Sequence, residues 1–211
     1  MEYITTSCVI DRKAVFKNGK PVFEALGAAA SGARSHNADL LSLLYHEFDW
    51  QYAKYFRMDN LSRLGFAAAE ILLQDWDAAD YQPEEIAIVL SNANSSLDTD
   101  YKYTETTKEI PSPGVFVYTL PNIVIGEIGI RHRFKGENAF FVSEIFDPGL
   151  LVKYVGYLLT QKIARVCLTG WVELLGDDMK AALFLVEEKA TPDAPVFSAE
   201  NLSRIFKNLT I

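Results

Sequence analysis

The chain has 211 residues, 49% hydrophobic and 23% charged, with a formal net charge of −8, a size and balance that suit one globular domain with a sizeable core. The acidic surplus argues against a nucleic-acid partner, which would need a basic surface, and against resting on an anionic membrane. No run of about 18 apolar residues occurs, so no membrane span is expected, and the start MEYITTSCVID lacks the basic region of a signal peptide. A cytoplasmic protein is the expectation. Cys8 and Cys167 lie in apolar runs without zinc-type spacing and read as buried thiols in a reducing compartment.

YITTSCVI (3–10) is β-branched and short, a first strand. FKNGKPVF (16–23) carries Asn18-Gly19, a hairpin turn signal. Residues 24–35, rich in Ala, Gly and Ser, read as loop or weak helix. DNLSRLGFAAAEILLQDW (59–76) is a helix that Asp59 or Asn60 can cap, with Leu61, Leu64, Ala68, Ile71 and Leu72 on one face. EEIAIVLSNAN (84–94) is a strand whose continuous apolar core points to a parallel sheet covered on both faces. Residues 95–112 are polar and turn-rich and read as a long loop. The segment 112–134 becomes helical after Pro121, and NAFFVSEI (138–145) is a strand. DPGLLVKYVGYLLTQKI (147–163) is apolar almost all round and reads as a central, buried helix. Two more strands follow, ARVCLTGWVEL (164–174) and KAALFLVEE (180–188). SAENLSRIFKNL (198–209) is a short last helix in which Ser198 and Asn201 make a partial capping box. Strands alternating with helices give an α/β class with a mostly parallel, five-stranded sheet.

The residues that usually carry chemistry are sparse. His36, His46 and His132 have no neighbour at metal-ligand spacing. His132, in IRHRF, suits the dipole of a helix end. Asp98, Asp100 and Glu105 lack the glycine-containing array of a calcium loop. No phosphate-binding glycine loop occurs. Neither metal nor cofactor is expected. The strand-to-helix turn at Asp147-Pro148-Gly149 is the kind of place where α/β enzymes hold out a nucleophile, yet it offers Phe146. Ser143, in VSEIF, is not in a G-x-S-x-G setting and has no nearby histidine in the sequence to act as base.

Three segments in order resemble the β-ketoacyl synthase family of the thiolase superfamily. FRMDNLSRLGFAAAEILLQ (56–74) resembles the family's R-M-D-x-x-x-R-L-A-x-A-A helix. IAIVLSNANSSLDTD (86–100) resembles its V-G-V-V-x-G-T-x-x-G strand and loop. SPGVFVYTLPNIVIGEIGIRHRFKGENAFFVSE (112–144) resembles its S-P-x-x-F-x-x-x-x-P-N-x-x-x-G-x-I-A segment, with Asn122, Gly126 and Gly136 in place. The resemblance implies a thiolase-like half-fold over a single domain, 1–211, with the family's second half-fold and its two catalytic histidines absent. Matching Gly149 to the family's A-C-x-S-G puts Phe146 on the nucleophilic cysteine, so the resemblance implies no catalytic residue and no catalysis by this chain alone.

The sequence is most similar to the half-length, chain-length-factor-like proteins of aryl polyene and flexirubin-type pigment systems. That implies a subunit pairing with an active, full-length ketoacyl synthase, or with a second copy, in fatty-acid or polyketide-type synthesis. An acyl carrier protein is a further expected partner. The strand and turn Phe140, Phe141, Val142, Ser143, Glu144 and Ile145 become candidates for the dimer interface, with ordinary core packing as the alternative. Phe116, Tyr118 and Leu120 become candidates for gating the partner's acyl tunnel, or else for filling this chain's own core. Arg131, Arg133 and Lys135 form the one dense basic patch that could receive an acidic carrier protein. The competing readings are a homodimeric acyl- or carrier-protein-binding scaffold, an acyl-thioester hydrolase using Ser143 or a water, and a decayed synthase.

Overall fold

A computed structural model describes residues 1–24, 37–189 and 193–208; the Ala/Gly/Ser-rich stretch before residue 36 and His36 itself lie outside them. The described strands are β1 (Tyr3–Asp11), β2 (Ala14–Lys17), β3 (Lys20–Glu24), β4 (Ile86–Asn92), β5 (Asn138–Val142), β6 (Val166–Leu175) and β7 (Asp178–Glu187). The described helices are α1 (Asn37–Glu47), α2 (Asn60–Leu73), α3 (Leu97–Thr106), α4 (Pro113–Phe116), α5 (Ile123–His132), α6 (Pro148–Thr160) and α7 (Ala199–Asn208). All seven strands form one sheet in the order β3-β2-β1-β7-β6-β4-β5.

The sheet corrects the expectation of five mostly parallel strands. Only β4 pairs parallel, with β5 and with β6, and the other four pairings are antiparallel. The reason lies in the connections, because a tight turn can join only antiparallel neighbours. Leu175 pairs directly with Asp178 across the two-residue turn Gly176-Asp177. Asp11 closes the β1–β2 turn by accepting from the amides of Lys13 and Ala14 at 2.7 and 2.9 Å. Asn18 (φ 51°) and Gly19 (φ 77°) are both left-handed, the turn a β-hairpin prefers, so the hairpin signal at 16–23 marks β2 and β3. These two strands account for the excess over five.

Both faces of the sheet are covered, as the continuous apolar run of β4 requires. Alternate side chains divide between two cores. Ile86, Ile88, Leu90, Leu168, Leu183 and Leu185 meet α1, α2 and α5. Ala87, Val89, Cys167, Phe184 and Val186 meet α6 and α7. Helix α2 is capped by Asp59, which accepts from Ser62 N at 2.9 Å, and is buried on almost every side.

Two helices differ from the sequence reading. Residues 97–106 are a helix rather than a loop. Asp98 and Asp100 sit in its first turn, where the dipole favours anions, and Asp98 pairs with Lys102 one turn on. It is polar nearly all round, so it leaves no apolar period to read. Helix α6 is not buried all round. Leu151, Val155, Leu158 and Leu159 face the sheet, while Tyr157 is 56% exposed. It is an outer-layer helix whose outward face carries Lys153, Tyr157 and Thr160. No described helix is long and apolar enough to cross a membrane.

Candidate partner interface at the carboxyl ends of the parallel strands

β4, β5 and β6 run in the same direction, so their carboxyl ends gather the segments 92–96, 143–147 and 173–176 on one side of the molecule. That is where open α/β sheets bind ligands. The loop after β4 is fixed from within. Glu173 accepts from the amides of Ala93 (2.6 Å) and Asn94 (3.2 Å) and from the Asn94 side chain (3.1 Å). Asn92, fully buried, bonds both backbone groups of Ser95 at 2.8 and 2.9 Å. The Ser96 hydroxyl donates to the Thr119 carbonyl at 2.9 Å and ties the segment that carries Phe116, Tyr118 and Leu120 to the same loop. Ser143 N donates to Asn92 O at 2.9 Å, which carries the β4–β5 pairing one residue past the strand.

The turn into α6 holds rings instead of a nucleophile. Phe146 stacks on Phe206 of α7 with centroids 4.3 Å apart and planes at 22°. Trp171 of β6 meets Phe146 edge-on at 6.0 Å and Phe206 at 6.4 Å. Asp147 caps α6 by accepting from Leu150 N at 2.9 Å, and Pro148 fills the first helical position. The Ser143 hydroxyl donates to Ile145 O at 3.0 Å. Both cysteines are fully buried. Burial pushes the Cys8 thiol up to about 12 against the opposing charge of Lys17, and pushes Cys167 up as well. Among the described residues, no group of His, Cys, Asp and Glu could hold a metal ion.

The interface candidates occupy the edge of the sheet. β5 pairs with β4 from Asn138↔Ile88 to Val142↔Asn92, and among the described residues no strand takes its other side. Phe140 packs toward the α5 side and Phe141 toward α6, where it meets Tyr154 edge-on at 5.1 Å. Val142 is 55% and Ile145 72% exposed, and Glu144 is exposed beside them.

The three gate candidates divide. Phe116 and Leu120 are exposed, and Phe116 leans on Tyr103 at 5.2 Å. Tyr118 turns inward and donates to Glu127 Oε1 at 3.0 Å. Burial and the Glu127 carboxylate push its hydroxyl up, and Lys54 pairs with the same carboxylate at 2.6 Å.

The basic patch divides too. Arg131 forks onto Glu70 at 2.9 and 3.0 Å and lies over the Tyr52 ring at 5.0 Å, while His132 reaches Glu70 at 3.0 Å. Arg133, in the left-handed cap of α5, is exposed, and Lys135 stands 3.8 Å from Glu84. Arg133 and Lys135 share a groove of about 610 Å³ with Ile123, Gly126, Ile130 and Asn138, alongside the β5 edge. Gly126 and Gly129, one turn apart on α5, line this groove. The ring cluster around Phe146 had no local signal, because its members lie on three separate elements.

No family model matches the chain, and no curated protein matches it. Among solved structures it is similar to a chain of the ishigamide ketosynthase/chain length factor (20% identity, TM-score 0.65, covering 92% of this chain and 64% of that one). It is also similar to a chain of a ketosynthase in complex with its chain length factor from Xenorhabdus doucetiae (19% identity, TM-score 0.53, covering 67% and 63%). A third is from a complex of a type II polyketide synthase acyl-carrier protein with its ketosynthase bound to the hexaketide (17% identity, TM-score 0.58, covering 89% and 62%). The fold is ketosynthase-like. At these identities the likeness is one of fold, and the chain spans less than two thirds of the length of the structures it matches.

Proposed function

We propose that this chain is a non-catalytic, ketosynthase-like subunit that pairs with an active ketosynthase and bounds its acyl tunnel as a chain-length factor, in polyketide- or aryl-polyene-type synthesis. The observation that carries this reading is Phe146. In a ketosynthase-like fold, the residue at the start of α6 is locked in a ring stack and has no thiol, so it can form no acyl-enzyme. The open edge of β5 supports a partner, since its outward N–H and C=O groups are a template for another strand. Val142 and Ile145 add exposed apolar surface beside it. The exposure of Phe116 and Leu120, on the segment tied to the β4 loop, supports their assignment as the gate toward a neighbour's acyl chain. Arg133 and Lys135 would receive an acidic carrier protein.

The same edge on two copies could pair isologously, so a homodimer is the competing assembly. The test is co-expression with the full-length ketosynthase encoded nearest to it, followed by mass determination in solution. A one-to-one complex, lost in Val142→Lys/Ile145→Lys, supports the reading. A homodimer that ignores the synthase sinks it. Within a complex, Phe116→Ala is expected to lengthen the product, and an unchanged product distribution removes Phe116 from the gate.

A further inference from the structure

We propose that Tyr118 is a positioning residue: through the buried Glu127 carboxylate it latches the 113–120 segment, and so sets where Phe116 and Leu120 stand toward a partner's acyl chain. What the gate does rests on the proposed pairing; the latch belongs to this chain alone. Phe116 and Leu120 are exposed, whereas Tyr118 between them is only 8% exposed. Its hydroxyl donates to Glu127 Oε1 at 3.0 Å, and Lys54 Nζ stands 2.6 Å from Glu127 Oε2. Glu127 is itself 5% exposed. The 3-10 helix Ala53–Arg57, the gate segment and α5 therefore meet on one carboxylate.

A buried carboxylate keeps its charge only when it is paired and hydrogen-bonded. Lys54 supplies the opposite charge at one oxygen, and Tyr118 supplies a charge-assisted bond at the other. Burial and that carboxylate raise the phenol, so it keeps its proton and its place as donor. A second tie acts one residue on, where the Ser96 hydroxyl donates to Thr119 O at 2.9 Å. Consecutive residues are thus held from two sides, Tyr118 toward α5 and Thr119 toward the β4 loop. The segment needs both ties. Helix α4 is a single turn of four residues, far too short to hold itself in water.

Tyr118→Phe keeps the ring and removes the bond. Glu127→Gln keeps an acceptor for Tyr118 and removes the charge that Lys54 pairs. In the chain alone, hydrogen exchange of the 115–120 amides is expected to rise about tenfold in Tyr118→Phe, with α2 and the sheet unchanged, and to rise less in Glu127→Gln. Unchanged exchange at 115–120, or a rise spread equally over α2 and the sheet, overturns the latch. A rise in Glu127→Gln as large as in Tyr118→Phe assigns the restraint to the Lys54 pair and overturns it too. These results stand whether or not a partner binds, so failure of the pairing is a separate outcome. In a complex with the ketosynthase, Tyr118→Phe is expected to broaden the product distribution, and to add nothing in a Phe116→Ala/Leu120→Ala background, where no gate is left to position. An unchanged distribution in Tyr118→Phe, or a broadening that persists undiminished in that background, overturns the positioning role.

Discussion

Arg131→Met separates a structural cation from a docking one. Glu70 is only 8% exposed at its side chain, and Arg131, at 28%, supplies two of its bonds at 2.9 and 3.0 Å. Methionine keeps the stem packed and removes the fork. Breaking a fully buried pair costs about 3–5 kcal/mol, and an exposed pair is worth about 0–1 kcal/mol. Arg131 lies between these limits, and His132 still reaches Glu70 at 3.0 Å, so a loss of about 2 kcal/mol is expected. For a chain of this size, that lowers Tm by about 4–8 °C. Arg133→Met, at an exposed position, should stay within about 0.5 kcal/mol of wild type. Burial alone would raise the Glu70 carboxyl, but the bonds and charges of His132 and Arg131 outweigh it and hold the group below the usual carboxylate range. A depressed carboxylate contributes its stability above the unfolded value of about 4.3 and loses it as pH falls through the folded value. The gap between wild type and Arg131→Met should therefore be full at neutral pH and shrink below about pH 4. Circular-dichroism melts at pH 7 and pH 3.5 read it. An Arg131→Met melt matching wild type at pH 7, or an equal loss in Arg133→Met, would refute the assignment.

Gly170→Ala should destabilise by about 3 kcal/mol or more, because φ is +149° there and an added Cβ would stand 2.0 Å from the Ala182 carbonyl oxygen across the β6–β7 ladder; a urea midpoint equal to that of wild type would contradict the register. The native chain should show no thiol to a disulfide reagent at pH 8 and two after denaturation, since Cys8 and Cys167 are fully buried. A thiol that reacts on mixing would disprove their placement.

What the sequence disclosed follows from where local chemistry decides the structure. The Asp59 cap and the apolar spacing of 60–73 are local, and α2 is where they place it. Asn18-Gly19 fixes its hairpin through the φ values those two residues tolerate. Helix α3 was hidden because an exposed, mostly polar helix with an ion pair one turn apart has no apolar period. β7 looked parallel because a buried antiparallel strand reads as the same continuous apolar run, and only Gly176 marked the tight turn. At the site, Phe116, Tyr118 and Leu120 share a face only if that stretch is extended. The helical turn at Pro113–Phe116 breaks the alternation and sends Tyr118 inward. Arg131 and Arg133 part company because α5 ends between them, at His132.

At the α6 turn, more than one residue works against a reactive thiol. A cysteine at a helix N-terminus gains nucleophilicity because the dipole stabilises its thiolate. Here the Asp147 carboxylate already occupies that end, bonded to Leu150 N, so an anion at 146 would meet a like charge one residue away. Above the turn, the Phe206 ring stacks on Phe146 at 4.3 Å. Phe146 also takes part in two ring pairs, each worth about 0.5–1.5 kcal/mol beyond its buried area, and one of them ties α7 to the body of the fold. A thiol at 146 would remove a clamp on the last helix and would stand beside the Asp147 carboxylate.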